Sequence, residues 1–329
     1  MDRYKIIGRI GQGAHGYVMK GIDRFDNQNV ALKKLVIKNL DEGIPKNLVR
    51  EITTLKVLNH ENIVKLTDVV PLGMGLVIVM EYLPANLHLM MQFLREELDL
   101  PKIKAYLWML LEGVMYMHEN HIMHRDLKPT NLLISNNGVL KIGDFGLARI
   151  YVENEPDRLY SHQVATRWYR APELLYGARK YTNSVDMWAV GCIAAEMINR
   201  SPLFPGETDI EQLAIVLHTL GTPSEETWPG LSELPDYNKI TFARNAGSSW
   251  NTILPKATVE SRNFVKSFVV YDQERRLSAK AALHHKFFSE KPIACRPSEL
   301  PSASIIAERE NNVDVEMMLG AFDEVLRDF

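Results

Sequence analysis

The chain has 329 residues, of which 46% are hydrophobic and 24% are charged, and its formal net charge is −3. This length predicts two lobes or domains, and the nearly balanced charge excludes a general attraction to nucleic acids or anionic membranes, so neither is expected as a partner. Cys192 and Cys295 are the two cysteines, which excludes a disulfide framework and is typical of a reducing compartment. Because no apolar signal segment follows Met1, we expect a protein of the cytoplasm or nucleus.

The first part of the chain predicts a small antiparallel sheet with one helix. Alternating apolar and polar side chains around glycines indicate the strands. They are predicted at residues 4–10, 16–20, 29–33, 64–70 and 75–82. One helix is predicted at residues 45–59, because apolar side chains recur there at helical spacing.

The rest of the chain predicts a larger, mainly helical lobe, so the expected fold class is α+β with two lobes. An N-terminal lobe of about 4–82 and a C-terminal lobe of about 86–288 would be joined by a hinge at about 81–85. Helices of the larger lobe are predicted at 101–120, 186–199 and 210–220. Residues 289–329 are interpreted as a tail, whose last part, 313–329, has the pattern of an amphipathic helix that docks on the body or on a partner.

A glycine-rich segment in the small lobe indicates phosphate binding. The glycines and valine of this G-x-G-x-x-G-x-V pattern are Gly11, Gly13, Gly16 and Val18. Glycines let backbone amides approach phosphate oxygens, but the pattern alone is weak because dinucleotide-binding folds use it between a strand and a helix. Here another strand follows and brings Lys33, which can pair with phosphates. Glu51, in the predicted helix, is the candidate carboxylate that fixes this ammonium group.

Two further motifs supply the groups that phosphoryl transfer to a hydroxyl requires. In His-Arg-Asp-Leu-Lys-Pro-Thr-Asn, residues 124–131, Asp126 is the predicted base, Lys128 would neutralise the transferred group and Asn131 would be a metal ligand. Asp144 begins Asp-Phe-Gly and would bridge metal and phosphates. An amide and a carboxylate suit Mg²⁺ because this ion prefers hard oxygen ligands.

Residues 144–173 have the length of an activation segment, a loop that becomes ordered when one of its hydroxyls is phosphorylated. Ser161 is the predicted switch, because a phosphate there could collect guanidinium groups from three separate elements. These arginines are Arg50, Arg125 and Arg149. Thr166 is predicted to bridge the catalytic aspartate and lysine, and Glu173 to pair with Arg276 at the end of the segment.

Together these residues resemble the catalytic domain of protein kinases, over about residues 4–288. The resemblance implies a bilobal protein kinase fold, with ATP and Mg²⁺ as cofactors. Lys-Pro-x-Asn in the catalytic loop resembles serine/threonine rather than tyrosine kinases. Thr-Arg-Trp-Tyr-Arg-Ala-Pro-Glu at 166–173 resembles the group of cyclin-dependent, mitogen-activated and glycogen-synthase kinases. In that group the arginine matching Arg170 shapes a pocket for proline after the acceptor, which implies protein substrates with Ser/Thr-Pro sites.

The same resemblance implies an adenine site between the lobes. Glu81 and Leu83 would bind adenine through the hinge backbone, and Met80 would limit the pocket behind it. The side chains that would sandwich adenine are Ile10, Val18, Ala31 and Leu133.

Finer sequence features point to a subfamily and to two departures from its group. Residues 161–179, 201–206 and 234–240 resemble a subfamily linked to cilia, which implies a regulator of cilium assembly or transport that acts on other kinases, with the cilium as a further location. Ala14 and His15 replace the Thr-Tyr pair at which phosphorylation blocks ATP, so that brake is expected to be absent.

The second departure concerns the activating partner. Residues 43–48 read Gly-Ile-Pro-Lys-Asn-Leu instead of the Pro-Ser-Thr-type start of a cyclin-contacting helix, which argues against an ordinary cyclin. The hypothesis is that the tail at 313–329 or a non-cyclin partner positions this helix. The alternative to an active enzyme is a pseudokinase or scaffold that acts by binding. Such proteins usually lack one of three groups that are all present here, namely Lys33, Asp126 and Asp144.

Overall fold

The computed structural model describes residues 1–13, 16–36, 46–73, 75–94, 98–151, 158–304 and 306. The predictions for Ala14, for His15, for residues 43–45 and for residues 313–329 lie outside the described residues. Within those described ranges, no helix combines the length and the apolar character that crossing a bilayer requires.

The N-terminal lobe is an antiparallel sheet packed on one helix. Its strands are β1 (Tyr4–Gly13), β2 (Gly16–Asp23), β3 (Asn29–Val36), β4 (Leu66–Leu72) and β5 (Gly75–Glu81), in the order β1-β2-β3-β5-β4. Helix α1 (Lys46–Val57) follows β3 in the chain. Successive side chains of a strand point to opposite faces, and β5 is buried on both. Val77 and Val79 join Met19 on one face, while Ile78 contacts Leu48 of α1 on the other.

The larger lobe is mainly helical. Its short strands are β6 (Ala85–Asn86), β7 (Ile122–Met123), β8 (Leu132–Ile134), β9 (Leu140–Ile142) and β10 (Arg149–Ile150). Its helices are α2 (Leu87–Phe93), α3 (Leu100–Glu119), α4 (Pro172–Leu175), α5 (Ser184–Asn199), α6 (Asp209–Leu220), α7 (Trp250–Ile253), α8 (Val259–Lys266), α9 (Ala279–Leu283) and α10 (Lys286–Ser289).

The sequence explains where the long helix α3 begins and why the long helix α5 packs closely in the core. Helix α3 has Pro101 in its first turn and Asp99 as its N-cap, whose side chain accepts a hydrogen bond from the Lys102 amide at 3.1 Å. Helix α5 is apolar on all sides and lies in the core. A Cβ at Gly191 would lie 2.7 Å from the Cβ of Phe268, so only glycine fits this close helix contact.

The short strands bring the two chemical motifs side by side. Strand β7 ends at Met123, directly before residues 124–131, and pairs with β10 through Met123 and Arg149. Strands β8 and β9 flank the other side, with Leu132 opposite Ile142. Residues 124–131 and 143–148 therefore run next to each other at the edge of the larger lobe.

Residues 290–304 and 306 continue along the larger lobe. The buried ammonium group of Lys104 in α3 donates to the carbonyl oxygens of Glu290 and Pro292 at 2.6 and 2.7 Å. Further along, three side chains are buried in the core of the lobe, at 8%, 0% and 0% exposure, namely Leu300, Ala303 and Ile306. This part of the predicted tail is thus a packed piece of the lobe.

The predicted fold class is confirmed, since a five-stranded sheet with one helix precedes a helical lobe. The predicted strands and long helices are all present, with ends shifted by a few residues. The largest shifts are three residues, at the carboxyl ends of β1, β2 and β3. Strand β1 continues to Gly13 because Gly13 pairs with Gly16.

Candidate active site

An ion triad at the cleft links the two lobes. Lys33 on β3 places its Nζ 2.7 Å from Glu51 Oε1 on α1 and 2.9 Å from Asp144 Oδ1. Burial lowers the pKa of Lys33, but the two carboxylates raise it more, so that the pKa lies above its usual value. Burial raises the pKa of Asp144, and Lys33 lowers it more, so that this pKa lies below its usual value. A charged lysine therefore lies between the carboxyl groups of Glu51 and Asp144.

The Asp-Phe-Gly turn is held by the residues beneath it. Asp144 has a left-handed backbone, with φ of 57°. Phe145 is fully buried and lies edge-on to His124 with ring centroids 4.9 Å apart. His124 Nε2 lies 2.9 Å from the carbonyl oxygen of Gly143. His124 thus supports the turn that aims Asp144 into the cleft.

A buried carboxylate fixes the backbone of the catalytic loop. Asp186 at the start of α5 accepts hydrogen bonds from the amides of His124 and Arg125 at 2.8 and 2.7 Å, and lies 3.0 Å from His118 Nε2. Burial raises the pKa of Asp186, but these partners lower it more and hold it below the usual value. Arg125 has a φ of 68°, a conformation that a non-glycine residue keeps only where its surroundings enforce it.

Asp126 is held by three neighbours. Its Oδ1 accepts hydrogen bonds from the amide and hydroxyl of Thr166 at 2.8 and 2.9 Å, and its Oδ2 lies 3.0 Å from Lys128 Nζ. Lys128 also donates to the Thr166 hydroxyl at 2.6 Å. Asn131 Nδ2 donates to the Asp126 carbonyl at 2.8 Å. The structure thus brings together the predicted base, the lysine, the threonine predicted to bridge them and the asparagine predicted as a metal ligand.

Asn131 and Asp144 fit a divalent cation by their chemistry. Because Asn131 uses its Nδ2 as a donor to Asp126, its Oδ1 is the atom left to act as a ligand. The Asp144 side chain is 50% exposed at the cleft. An amide oxygen and a carboxylate oxygen of this kind are ligands that Mg²⁺ accepts, together with phosphate oxygens.

The predicted nucleotide residues lie on the strands that border the cleft. The glycines of the phosphate segment form the β1–β2 hairpin, with Gly11 opposite Val18 and Gly13 opposite Gly16. Ala31 on β3 is paired with Met80 on β5. Ile10 lies on β1, Leu133 on β8 and Glu81 at the end of β5. Leu83 lies in the connection after β5.

The side chain of Glu81 contacts Lys65 and Lys141. Its Oε1 accepts a hydrogen bond from the Lys65 amide at 2.7 Å and lies 3.0 Å from Lys141 Nζ. A bond from Glu81 to adenine would therefore come from its backbone, as the resemblance implies.

The three predicted arginines are close enough to affect one another. Burial lowers the pKa of Arg50, and the charges of Arg149 and Arg125 lower it further. Burial also lowers the pKa of Arg149, whose Nε is buried and has no hydrogen-bond partner among the described residues. Clustered guanidinium groups of this kind suit a multiply charged anion.

Ser161 reaches this cluster by a route that the sequence did not indicate. The residue is exposed, and its carbonyl oxygen accepts a hydrogen bond from the Tyr181 hydroxyl at 2.6 Å. Arg125 Nη1 donates to the same hydroxyl at 2.8 Å. Tyr181 was missed because its sequence neighbourhood, Lys-Tyr-Thr-Asn, carries no motif. A buried tyrosine usually has a hydrogen-bond partner for its hydroxyl. This general tendency is the only signal that could have pointed to Tyr181.

The loop before Glu173 is shaped by Arg170. Ala165 has a φ of 66°, and Arg170 donates to the carbonyl oxygens of Val164 and Ala165, both at 2.9 Å. Arg170 Nη1 and Arg167 Nε also bind one oxygen of Asp209, at 2.9 and 2.8 Å. The carbonyl of Ala165 is thus turned toward Arg170.

Comparison with known proteins agrees with this geometry. The family model described as "Protein kinase domain" matches residues 4–288. The chain is 53% identical over 302 residues to cyclin-dependent kinase 20 of Danio rerio, which covers 92% of this chain and 88% of that protein. It is 50% identical to the Mus musculus protein of the same name and 48% identical to the Homo sapiens one, each over 304 residues, 92% of this chain and 87% of the relative.

These relatives confirm the resemblance that the motifs suggested. The match runs through the cleft, the catalytic loop and the activation segment without leaving a major part of the lobes outside. The chain belongs to the protein kinase family and is a serine/threonine kinase of the cyclin-dependent type, which implies ATP as the phosphate donor and proteins as acceptors.

Proposed function

We propose that this kinase uses ATP and Mg²⁺ to phosphorylate serine or threonine followed by proline, and that phosphorylation of Ser161 raises its activity. The observation that carries the proposal is the fixed Asp126 carboxylate, bonded to Thr166 and Lys128 and facing the same cleft as the ion triad of Lys33. This arrangement has the base, the counter-charge and the phosphate anchor in one place.

In the proposed mechanism Asp126 orients the acceptor hydroxyl and accepts its proton as the bond to the γ-phosphorus forms and the bond to the β-phosphate breaks. Lys128 stabilises the charge on the transferred group, and Lys33, fixed by Glu51 at 2.7 Å, binds the α- and β-phosphates. Asn131 and Asp144 would hold Mg²⁺, which supplies further neutralisation of phosphate charge when bound.

The orientation of Ala165 supports proline after the acceptor. Its carbonyl accepts a hydrogen bond from Arg170, so an amide N–H arriving at this point would find no acceptor there. Leaving a buried N–H without a partner is costly, and proline has no N–H to satisfy. This side of the site therefore favours proline directly after the acceptor residue.

The proposed switch rests on the charge around Ser161. A phosphate there would bring close to two negative charges to the cluster of Arg50, Arg125 and Arg149. Burial lowers the pKa values of Arg50 and Arg149, and repulsion from neighbouring guanidinium groups lowers them further. Neutralising this repulsion would order the activation segment against α1 and the catalytic loop.

We also propose a cellular role from the subfamily resemblance and the named relatives. The kinase would act on other kinases in cilium assembly or transport, in the cytoplasm, the nucleus and the cilium, with a partner other than an ordinary cyclin. A comparison of phosphorylated proteins in cells that carry wild type or Asp126→Asn tests this role. Unchanged phosphorylation of ciliary kinases would contradict it.

The decisive test of the enzyme mechanism is phosphate transfer to a Ser-Pro peptide by wild type and by Asp126→Asn. Loss of a general base typically costs roughly 10²–10⁴ in rate. Equal phosphate incorporation by the two proteins would refute the role of Asp126 and favour the scaffold alternative.

A further inference from the structure

The hydroxyl of Tyr181 joins the activation segment to the catalytic loop. It donates to the Ser161 carbonyl at 2.6 Å and accepts from Arg125 Nη1 at 2.8 Å. Tyr181 is buried, and its ring lies 5.3 Å from that of Tyr160, whose amide donates to the Arg179 carbonyl at 2.7 Å. The segment around Ser161 is therefore fastened to residues 179–181 by backbone, ring and hydroxyl contacts.

The other contacts of Arg125 join this connection to the Asp-Phe-Gly turn and to the backbone before Asp126. Its Nε and Nη2 donate to the Leu147 carbonyl at 2.9 and 2.6 Å, next to the Asp-Phe-Gly turn. Its amide donates to Asp186 at 2.7 Å, and its φ is 68°. Because this strained residue precedes Asp126 directly, fixing the guanidinium group at both ends also fixes the peptide that carries the catalytic carboxylate.

These contacts exist with an ordinary serine at position 161, so they do not need a phosphate. We propose that Tyr181 is a positioning residue that keeps the activation segment against Arg125, and through it Asp126, while Ser161 is unphosphorylated. The inference deepens the proposed switch and rests on the proposed function. Tyr181 would set the basal activity, and the phosphate would add a second link to Arg125, together with Arg50 and Arg149.

Tyr181→Phe tests this in the full chain, because it keeps the ring beside Tyr160 and removes only the hydroxyl. The matched control is Tyr271→Phe, which removes another buried hydroxyl, one that donates to the Gly221 carbonyl at 2.6 Å. In a Ser161→Ala background, we expect Tyr181→Phe to lower kcat about tenfold, as loss of a charge-assisted hydrogen bond would, with the KM for ATP unchanged. Tyr271→Phe should lower kcat less than about twofold.

The state of phosphorylation gives the second arm. In protein phosphorylated at Ser161, we expect Tyr181→Phe to lower kcat less than about threefold, because the phosphate would hold Arg125 independently. Amide hydrogen exchange of residues 158–166 in the Ser161→Ala background should rise with Tyr181→Phe and not with Tyr271→Phe. This second measurement does not depend on turnover.

The outcomes separate this inference from the proposed function. Equal kcat losses for the two tyrosine variants, or unchanged exchange at 158–166, would overturn the role of Tyr181. If Tyr181→Phe lowers kcat equally with and without the phosphate, the phosphate does not replace the Tyr181 hydroxyl in holding Arg125. If phosphorylation of Ser161 leaves kcat unchanged, the switch fails, while the Ser161→Ala arm still decides the role of Tyr181. Absence of turnover on every Ser/Thr peptide would refute the proposed function instead.

Discussion

Glu173 and Arg276 form a buried, two-point ion pair across the larger lobe. Arg276 Nη1 and Nη2 donate to the two carboxylate oxygens of Glu173 at 2.6 and 2.7 Å, and the two side chains are 0% and 5% exposed. Arg276 also donates to the carbonyls of Val270 and Tyr271. The pair anchors the end of the activation segment to the helical core.

Removing one partner of this pair should be more damaging than removing both. Arg276→Met leaves the Glu173 carboxylate buried without its counter-ion, a change that typically costs about 3–5 kcal/mol. The double variant Glu173→Gln with Arg276→Met should recover part of this free energy of unfolding, which chemical denaturation would measure. A double variant no more stable than Arg276→Met would contradict this account.

The ion triad predicts a sharp contrast between two neighbouring lysines. Lys33→Met should lower kcat/KM by roughly 10²–10³, because the anchor of the phosphates is lost. Lys34→Met is the control, since successive side chains on β3 point to opposite faces of the sheet. Peptide phosphorylation at several ATP concentrations separates the two. Similar losses in both variants would show that lysine charge on β3, and not the contact with Glu51, matters.

Sequence reasoning found the residues of the triad because each belongs to a motif whose chemistry needs the others. A lysine aimed at phosphates needs a carboxylate to hold it, and the spacing from β3 to a following helix leaves few candidates. Lys33 and Glu51 accordingly lie 2.7 Å apart although 18 residues separate them. The two lobes were equally readable, because strand alternation and helical spacing are local properties of the chain.

What the sequence could not show depends on packing between distant segments. Tyr181 lies beside Ser161 because of how the segment between them, which includes α4, packs, and no sequence pattern marks a tyrosine whose hydroxyl is shared in this way. The three buried side chains beyond residue 299 recur every three residues, at Leu300, Ala303 and Ile306. Nearby prolines hid this short pattern, so the packing of these three side chains on the larger lobe was not predicted.

The free energy of unfolding should depend on pH partly through the ionisation of Asp186. Its folded pKa lies below the ordinary value, near 3.9, because its partners outweigh burial. A lowered pKa adds stability above the unfolded value, and this stability is lost as pH falls through the folded value. Asp186→Asn should therefore be less stable than wild type at pH 7, and the difference should shrink below about pH 4. The exposed Asp2→Asn serves as control, and thermal unfolding across pH is the measurement. A gap that stays constant down to pH 3 would refute this assignment.

Selection of proline should depend on Arg170. Arg170→Met frees the Ala165 carbonyl, so peptides with alanine after the acceptor should gain relative to those with proline. We expect the ratio of kcat/KM for Ser-Pro over Ser-Ala peptides to fall about tenfold, the worth of about one hydrogen bond. Arg179→Met, at an exposed position, should leave the ratio unchanged. If wild type shows no preference for proline, the proposed specificity is wrong whatever Arg170 does.

Two truncations separate the packed part of the tail from the rest. A chain that ends at Glu299 loses the buried side chains of Leu300, Ala303 and Ile306, and it should be less stable by about 3 kcal/mol or more, at 1.5–3 kcal/mol for each large aliphatic side chain. A chain that ends at Ile306 keeps these contacts and should unfold like the full chain. Its kcat then tests the predicted docking of residues 313–329 without a stability artefact. Unchanged kcat in that chain would remove the tail from the positioning of α1 and leave a partner protein as the remaining candidate.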